Sequence, residues 1–372
     1  MRRSLDTGAS RVRAAPRSRL MRYLTIGYTL LIVYASLYPF TEWHSAPDAL
    51  LPFVTAPWPR YYTLSDLSLN AIAYVPFGFF AVLSALGRLG ATAAAVGATV
   101  LGTILSLAME CLQQFTATRV ASNLDLLSNG LGALAGALLG ATLGERWVLQ
   151  GRIYQARHRL FVQDRLTDFG FLVLLLWLFT QFHPQLWLFG NGDLRWLMPA
   201  AFKGGFDPHL HRWLESGVAA INLAGVCLLV RTMARPNASI AGLLLILVAA
   251  ALGLKTAAAL TLFRQGDAAL WLTPAAMLGI PGGIVLYLAL HGLPRVVAGI
   301  ASALLLTLGA LLINLAPENP YFAASFSTWR HGHFLSFNGL TRLVSTVWPL
   351  AAVTYLCLLA LLAGPEPAGR AG

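Results

Sequence analysis

Charged residues are scarce in this sequence. Asp, Glu, Lys and Arg together make up 11% of the 372 residues, whereas 57% are hydrophobic. Soluble domains contain about 25% charged and about 45–50% apolar residues, so a soluble globular protein is excluded. Apolar runs of about 20 residues are long enough to cross a bilayer as helices. The sequence therefore predicts an all-α, polytopic transmembrane helix bundle.

Cysteine and the common catalytic motifs are also lacking. The three cysteines, Cys111, Cys227 and Cys357, each fall inside an apolar run without metal-ligand spacing, which argues against a disulfide framework. The sequence contains no G-x-S-x-G, Walker A or H-E-x-x-H arrangement. We therefore expect no metal and no cofactor, and the sequence leaves open whether the protein is an enzyme.

Positive charge exceeds negative charge by 11, but the arginines flank the apolar runs and do not follow one face. They concentrate in the first 22 residues and between Arg146 and Arg165, as signals for positive-inside topology do. This distribution excludes nucleic acid as a partner and predicts a cytoplasmic N-terminus. Anionic lipid headgroups are the alternative partner of the basic middle segment.

The apolar runs predict about ten transmembrane helices and four regions. The regions are a basic cytoplasmic arm (1–20), a four-helix membrane domain (21–145), a basic cytoplasmic linker (146–167) and a second membrane domain of about six helices (168–372). The helices are expected at roughly 21–40, 66–87, 91–113, 126–144, 168–189, 215–231, 238–262, 269–290, 294–316 and 343–363.

Three predicted helices of the first membrane domain carry the same polar pair near the end that this topology places outside. Each pair is an acid followed four residues later by a carboxamide, a spacing that puts both side chains on one helical face. Ionisable groups inside membrane helices are costly unless they are paired or functional. The candidate ligand-binding residues are Asp66, Asn70, Glu110, Gln113, Gln114, Arg119, Asp125 and Asn129.

A structural role is the competing interpretation of these residues. Asp66 and Asp125 are candidate N-caps, since the helix dipole favours an anion there, and the carboxamides could bond between helices. Glu110 lies near a helix C-terminus, where the dipole disfavours an anion, so it needs a partner. Arg119 is the nearest candidate, and a Glu110–Arg119 ion pair would explain both residues without a ligand.

Two features predict how the polar face is buried. Pro76 lies inside an apolar run and favours a kink, which would open space beside Asn70. Gly132, Gly136 and Gly140 recur at every fourth position and form a ridge for close helix contact. Close packing of this kind would bring the polar residues into the bundle.

The order and spacing of these polar and small residues form a family signature. The motifs are, in chain order, Asp66-x3-Asn70, Pro76-x-Gly78, Glu110-x2-Gln113-Gln114-Phe115, Arg119 and Asp125-x3-Asn129-x2-Gly132-x3-Gly136. With these motifs, residues 21 to about 145 resemble the VanZ-like family, whose namesake is associated with glycopeptide (teicoplanin) resistance.

The resemblance implies a multi-pass protein of the bacterial cytoplasmic (inner) membrane. Residues 168–372 lie outside it. It also implies that the family's recurrent polar positions are those occupied here by Asn70, Glu110, Gln114, Arg119, Asp125 and Asn129.

The second membrane domain carries fewer polar signals. Lys255 lies inside an apolar run, and we expect it to snorkel toward the interface or to pair with an acid of the first membrane domain. His331 and His333 lack a nearby third ligand, so contact with anionic lipid is preferred over a metal site for that loop. Residues 168–290 repeat the layout of the first domain, and a parallel duplication is a further hypothesis.

We predict that the protein binds or handles an amphiphilic cell-envelope molecule at the extracytoplasmic leaflet. Such a molecule could be a lipid, a lipid-linked glycan or a lipoglycopeptide, because acids, amides and one arginine beneath aromatic loops suit a polar headgroup. One alternative is an intramembrane transferase or hydrolase on a lipid-linked substrate, with Glu110 or Asp125 as general base. The other is a transporter. Membrane lipids are expected partners, and the sequence indicates no particular oligomeric state.

Overall fold

The computed structural model describes residues 19–45, 51–117, 119–149, 151–183, 186–195, 206–262, 268–317 and 334–362. Within these ranges the chain is helical and forms no β-strand. Eight of the described helices are long and apolar enough to cross a membrane, and Pro274–Leu290 is a shorter apolar helix. The predicted all-α, polytopic architecture is confirmed, and the protein is a multi-pass membrane protein. The predictions for His331, His333 and the basic arm before Arg19 lie outside the described residues.

The helices are numbered in chain order. They are α1 (Arg19–Leu37), α2 (Pro52–Thr55), α3 (Leu64–Ala85), α4 (Ala91–Gln113), α5 (Asn123–Leu139), α6 (Arg152–Leu160), α7 (Arg165–Thr180), α8 (Pro208–Met233), α9 (Ala241–Leu262), α10 (Pro274–Leu290), α11 (Arg295–Leu315) and α12 (Phe334–Leu362).

Capping residues move several helix starts away from their predicted positions. Helix α5 begins at Asn123, before the predicted start at 126, because Ser122 Oγ accepts the backbone N–H of Leu124 at 3.2 Å. Helix α8 begins well before its predicted start at 215. Asp207 caps it, and Pro208 takes the first helical position, where the missing N–H of proline has no cost.

The basic segment predicted as a loop between the two membrane domains is largely helical. Helix α5 continues into a π-helix, Gly140–Leu149, and α6 follows after a short break. The α6 sequence contains neither Gly nor Pro, and its arginines are good helix formers. A polar, mostly exposed helix is therefore compatible with this segment, although its charge indicates a connection outside the apolar region.

The chain divides into two compact units. Unit 1 consists of Met1–Thr29, Ala46–Gln114 and Arg119–Ala156, and unit 2 consists of Leu30–Ser45, Phe115–Thr118 and Arg157–Gly372. Each unit thus combines segments that are distant in sequence. Helix α1 contributes its first part to unit 1 and its last part to unit 2.

Helices α3 and α5 approach each other closely in unit 1. A Cβ atom added to Gly132 would overlap the carbonyl oxygen of Ala71, and one added to Gly136 would overlap that of Val75. Glycine therefore lets the two backbones meet, so that Cα–H groups contact carbonyl oxygens. The predicted glycine ridge packs on α3, which continues as a helix through Pro76.

Large aromatic side chains form the core of unit 2. Trp177, Phe189, Trp348 and Tyr355 are fully buried there. The indole N–H of Trp348 donates to the carbonyl oxygen of Val173 at 2.8 Å, which joins α12 to α7. Trp177 also stacks on Phe189, with ring centroids 6.0 Å apart. This stacking fixes the loop that follows α7 against the helices.

Candidate functional site

Three helix ends of unit 1 meet at the predicted polar residues. The Asn70 amide on α3 donates to Asp125 Oδ1 on α5 at 2.8 Å. The Asn129 amide on α5 donates to Ser106 Oγ on α4 at 2.9 Å. The N-terminal ends of α3 and α5 and the C-terminal half of α4 are therefore linked by side-chain hydrogen bonds. We call these residues, with Glu110 and Arg119, the polar cluster.

Glu110 lies inside this cluster and is only 3% exposed. Its Oε2 atom accepts the backbone N–H of Ser122 at 2.8 Å. Among the described residues, Glu110 forms no ion pair with Arg119, so the predicted direct pair is wrong. Because Ser122 caps α5, the carboxylate obtains its partner from the positive end of that helix dipole.

Arg119 lies in the connection between α4 and α5, close enough to interact electrostatically with two carboxylates. Burial lowers the pKa of its guanidinium, and the negative charges of Asp125 and Glu110 oppose that shift. The guanidinium is half-buried. The arginine therefore adds one positive charge beside two acids without bonding Glu110 directly.

The two aspartates do not cap their helices, contrary to the structural interpretation of the sequence. Thr63 caps α3, since its Oγ1 accepts the backbone N–H of Asp66 at 3.2 Å. Ser122 caps α5. Asp66 and Asp125 each follow the capping residue by three positions. A carboxylate at that position commonly accepts the N–H of the cap residue in a capping box.

The capping box of α5 is altered by a residue from another helix. Glu110 accepts the Ser122 N–H that Asp125 would otherwise accept. The Asp125 carboxylate binds the Asn70 amide on α3 instead. This exchange connects both acids to neighbouring helices.

Gln113 and Gln114 stand at the edge of the cluster. Gln113 is the last residue of α4, and Gln114 is its C-cap. Both side chains are half-buried, about one turn beyond Glu110 on the same helix. Asp66 is half-buried as well, in the first turn of α3.

Three members of the site were missed by sequence reasoning. Ser106 lies one turn before Glu110 on α4, and the i,i+4 spacing could have identified it. Ser122 could have been found as the first residue of the capping-box pattern that ends at Asp125. Tyr74 is buried near Ser106 and Glu110, with its hydroxyl outside ordinary hydrogen-bond geometry. An isolated tyrosine in an apolar helix gives no comparable sequence signal.

An aromatic segment is attached beside the cluster. The amide of Asn123, the first residue of α5, donates to the carbonyl oxygen of Ala56 at 2.7 Å. Trp58, Tyr61 and Tyr62 follow Ala56 and are all exposed. Amphipathic rings of this kind are enriched at membrane–water interfaces. The polar cluster is therefore adjacent to a segment suited to the interface.

The cluster offers hydrogen-bond acceptors on its carboxylates, donors and acceptors on its carboxamides, and one guanidinium. Carboxylates bind ligand hydroxyl and ammonium groups, whereas a guanidinium binds phosphate or carboxylate. Among the described residues, no group of three or more His, Cys, Asp or Glu side chains is placed to hold a metal ion. The arrangement suits a ligand with several polar groups.

This architecture defines a multi-pass helix bundle with a buried polar cluster at the ends of three helices. Residues 19–144 match the family model described as VanZ/LLP1, so the resemblance predicted from the motifs is confirmed. This segment, about a third of the chain, is similar to that family, is called the VanZ-like domain below for that reason, and contains all eight candidate site residues. No curated protein and no solved structure gives a significant match to the chain.

Proposed function

We propose that the VanZ-like domain binds the polar headgroup of an amphiphilic cell-envelope molecule at the extracytoplasmic leaflet. The class includes lipids, lipid-linked glycans and lipoglycopeptides. In this proposal the headgroup contacts the polar cluster while the tail stays in the surrounding lipid. The association of the family's namesake with glycopeptide resistance agrees with such a ligand.

The burial of Glu110 is the observation that carries this proposal. An acid inside a membrane helix is costly, and it is kept where it is paired or functional. Glu110 is 3% exposed and, within the described residues, makes no ion pair. The bond between Asn129 and Ser106 already links α4 to α5 through neutral groups. Helix assembly alone therefore does not require the carboxylate.

The charges of the cluster favour a particular kind of headgroup. Glu110 and Asp125 supply two negative charges when ionised, and Arg119 supplies one positive charge. A headgroup with hydroxyl or ammonium donors and one anionic group would complement all three side chains. Glycan and glycopeptide headgroups fit this description better than a simple phosphate does.

The exposed aromatic side chains support binding at the interface. Trp58 is 66% exposed and Tyr61 is 94% exposed. Their segment is held near the start of α5 by the Asn123–Ala56 hydrogen bond. Aromatic rings at headgroup depth could cover the apolar surface of a bound sugar or peptide.

The proposal can be tested by measuring the molecules that co-purify with the full chain in native nanodiscs. We compare Glu110→Gln, Asp125→Asn and Arg119→Gln with Arg88→Gln, which removes a charge from an exposed residue between α3 and α4. Loss of a charged hydrogen-bonding partner costs about 1.5–3 kcal/mol. The affinity for the co-purified molecule, obtained from the amount recovered per mole of protein, should therefore fall about 10- to 100-fold.

Each outcome of this experiment has a definite meaning. Enrichment of one amphiphile with the wild type and with Arg88→Gln, but not with the three cluster variants, supports the proposal. Equal recovery with all variants at equal protein levels contradicts it. Wild-type turnover of the bound molecule that Glu110→Gln abolishes would favour the intramembrane transferase or hydrolase.

A further inference from the structure

Lys255 is a buried charged residue of unit 2 and, unlike the equally buried Asp168, forms no ion pair among the described residues. It lies in the apolar helix α9 and is 3% exposed, so the expected snorkelling to the interface does not occur. Its Nζ atom donates to the carbonyl oxygens of His183 at 2.8 Å and Leu186 at 2.7 Å. Both acceptors belong to the loop after α7.

The backbone contacts leave part of the Lys255 ammonium group unsatisfied. A lysine ammonium has three N–H donors, and two of them reach carbonyl oxygens. Among the described residues Lys255 forms no ion pair. A buried charge without an opposite charge is unfavourable by several kcal/mol. The third donor and the net charge therefore favour an anion.

The charges around His183, whose backbone carbonyl oxygen accepts from Lys255, are mainly positive. The His183 ring contacts Asn338 Oδ1 at 3.1 Å, and Arg342 lies close enough to influence it electrostatically. The nearby acid, Asp193, is already paired with Arg195 at 2.7 Å. No second carboxylate of the described residues contributes to the electrostatics of His183.

Buried polar groups without partners occur in the same loop and in the adjoining helix. Asn191 is 1% exposed, and neither its amide nitrogen nor its amide oxygen has a hydrogen-bond partner in the part of the chain that the structure describes. Ser345 Oγ on α12 is likewise buried without one. The N–H of Gly192 donates to the Ser345 carbonyl oxygen at 2.9 Å, which joins loop and helix. Asn338 lies two turns before Ser345, on the same face of α12.

We propose that this part of unit 2 binds an oxyanion, a phosphate or carboxylate group, with Lys255 as its charged anchor. The oxyanion accepts the third N–H of Lys255 and neutralises its charge. Among the described residues, the polar side-chain atoms of Asn191 in the same loop and of Ser345 on the adjoining helix α12 also lack hydrogen-bond partners. Lysine serves as a compact point charge for such groups. The site is separate from the polar cluster of the VanZ-like domain and does not depend on its proposed function.

The test measures anion binding to the full-length protein in a neutral detergent. One arm titrates sodium phosphate against sodium chloride at equal ionic strength, to detect a free anion. The other arm titrates phosphatidylglycerol against phosphatidylcholine with the same acyl chains, to detect an anionic lipid headgroup. The variants are Lys255→Met, which removes the charge, and Lys255→Arg, which keeps it. Arg212→Gln is the control, because Arg212 is an exposed residue of α8.

We expect the wild type to prefer phosphate over chloride, phosphatidylglycerol over phosphatidylcholine, or both. The responding arm identifies the source of the oxyanion. Lys255→Met should weaken that binding about 10- to 100-fold, whereas Lys255→Arg and Arg212→Gln should weaken it less than about threefold.

Two results would overturn the proposal. One is a wild-type protein that prefers neither phosphate over chloride nor phosphatidylglycerol over phosphatidylcholine, a result that can be read without any variant. The other is a Lys255→Met protein that binds as Arg212→Gln does. If Lys255→Met is not monodisperse, Lys255→Gln replaces it, since an amide can still donate to the two carbonyls without carrying charge.

Discussion

Units 1 and 2 each bury a charge that forms no ion pair among the described residues, and in both units the backbone supplies its hydrogen bonds. The two charges have opposite signs. In unit 1 the carboxylate of Glu110 accepts the N–H of Ser122. In unit 2 the ammonium of Lys255 donates to the carbonyl oxygens of His183 and Leu186. Backbone dipoles satisfy hydrogen bonds without neutralising a charge. Each unit therefore retains a charge that a ligand of opposite sign could complement.

The backbone partners of the two charges differ in kind. Helix N-termini expose N–H groups and attract anions, as Ser122 at the start of α5 does for Glu110. Helix α7 ends at Thr180, and the loop beyond it presents the carbonyl oxygens of His183 and Leu186 to Lys255. A helix end therefore supplies the partner of the carboxylate, and a loop supplies the partners of the ammonium.

The largest expected effect comes from breaking the helix contact that assembles the cluster in unit 1. A Cβ atom at Gly136 would overlap the Val75 carbonyl oxygen, so Gly136→Ala must push α5 away from α3. We expect a loss of about 1–3 kcal/mol in the free energy of unfolding, and loss of co-purified ligand. Thermal unfolding of the purified protein measures the first effect.

Gly97→Ala is the matched control for this prediction. A Cβ atom at Gly97 on α4 would meet nothing within 4 Å. Alanine there should be neutral or should stabilise the helix by up to about 1 kcal/mol. Equal stability of both variants would show that the contact between α3 and α5 does not limit the assembly of unit 1.

A second prediction separates the structural and ligand-binding contributions of Glu110. Glu110→Ala leaves the partly buried Ser122 N–H without its acceptor, which should cost about 1–3 kcal/mol of unfolding free energy. Glu110→Gln keeps an acceptor oxygen and should cost less than about 1 kcal/mol. Both variants should lose the ligand. If Gln destabilises as much as Ala, the charge itself supports the fold, and the argument for a ligand weakens.

The sequence predicted much of the polar cluster of unit 1 and little of the polar groups in unit 2. In unit 1 the acids and carboxamides recur at i,i+4 spacing on helices, so each pair shares a face before any tertiary contact is known. The actual partners depend on the backbone. The backbone N–H of Ser122, and not the Arg119 side chain, is the partner of Glu110. The capping-box pattern identifies Ser122 as a cap but does not predict that a residue of α4 accepts its N–H.

In unit 2 the polar groups around Lys255 come from a loop without periodicity and from separate helices. Asn191 and Ser345 become buried together only through tertiary packing, which spacing along the chain does not predict. The carbonyl oxygens that bind Lys255 are present in every residue and cannot be distinguished by sequence. Helix existence, in contrast, followed directly from the apolar runs.

A pH titration tests whether unit 2 disfavours a further positive charge, the protonated ring of His183. Burial, with Lys255 and Arg342 nearby, lowers the pKa of His183 to about 3, although Asn338 and Asp193 oppose the shift. The unfolded chain binds this proton near the ordinary histidine pKa of about 6.5. Stability from neutral His183 is therefore complete above that pH and is lost progressively as pH falls toward 3.

The variant His183→Gln should remove this pH dependence, because glutamine does not titrate and its amide can still donate to Asn338. Unfolding midpoints at pH 7.5, 6 and 5 measure the effect. Wild type should lose more stability than the variant over this interval. If the unfolding midpoints of wild type and variant fall in parallel with pH, a group other than His183 determines the pH dependence. The contrast between the buried charges of the two units would then rest on their hydrogen bonds alone.

The smallest expected effect concerns the neutral bond that links α4 to α5. Asn129 and Ser106 form a buried side-chain pair, and hydrogen bonds between membrane helices have coupling energies of about 0.6 kcal/mol, up to about 1.7 kcal/mol. A double-mutant cycle of Asn129→Leu and Ser106→Ala should give a value in that range. A coupling near zero would remove the neutral link and make Glu110 the main connection between these helices. A coupling energy within the range means that the Asn129–Ser106 bond links α4 to α5 independently of Glu110. The buried carboxylate then remains available to a ligand.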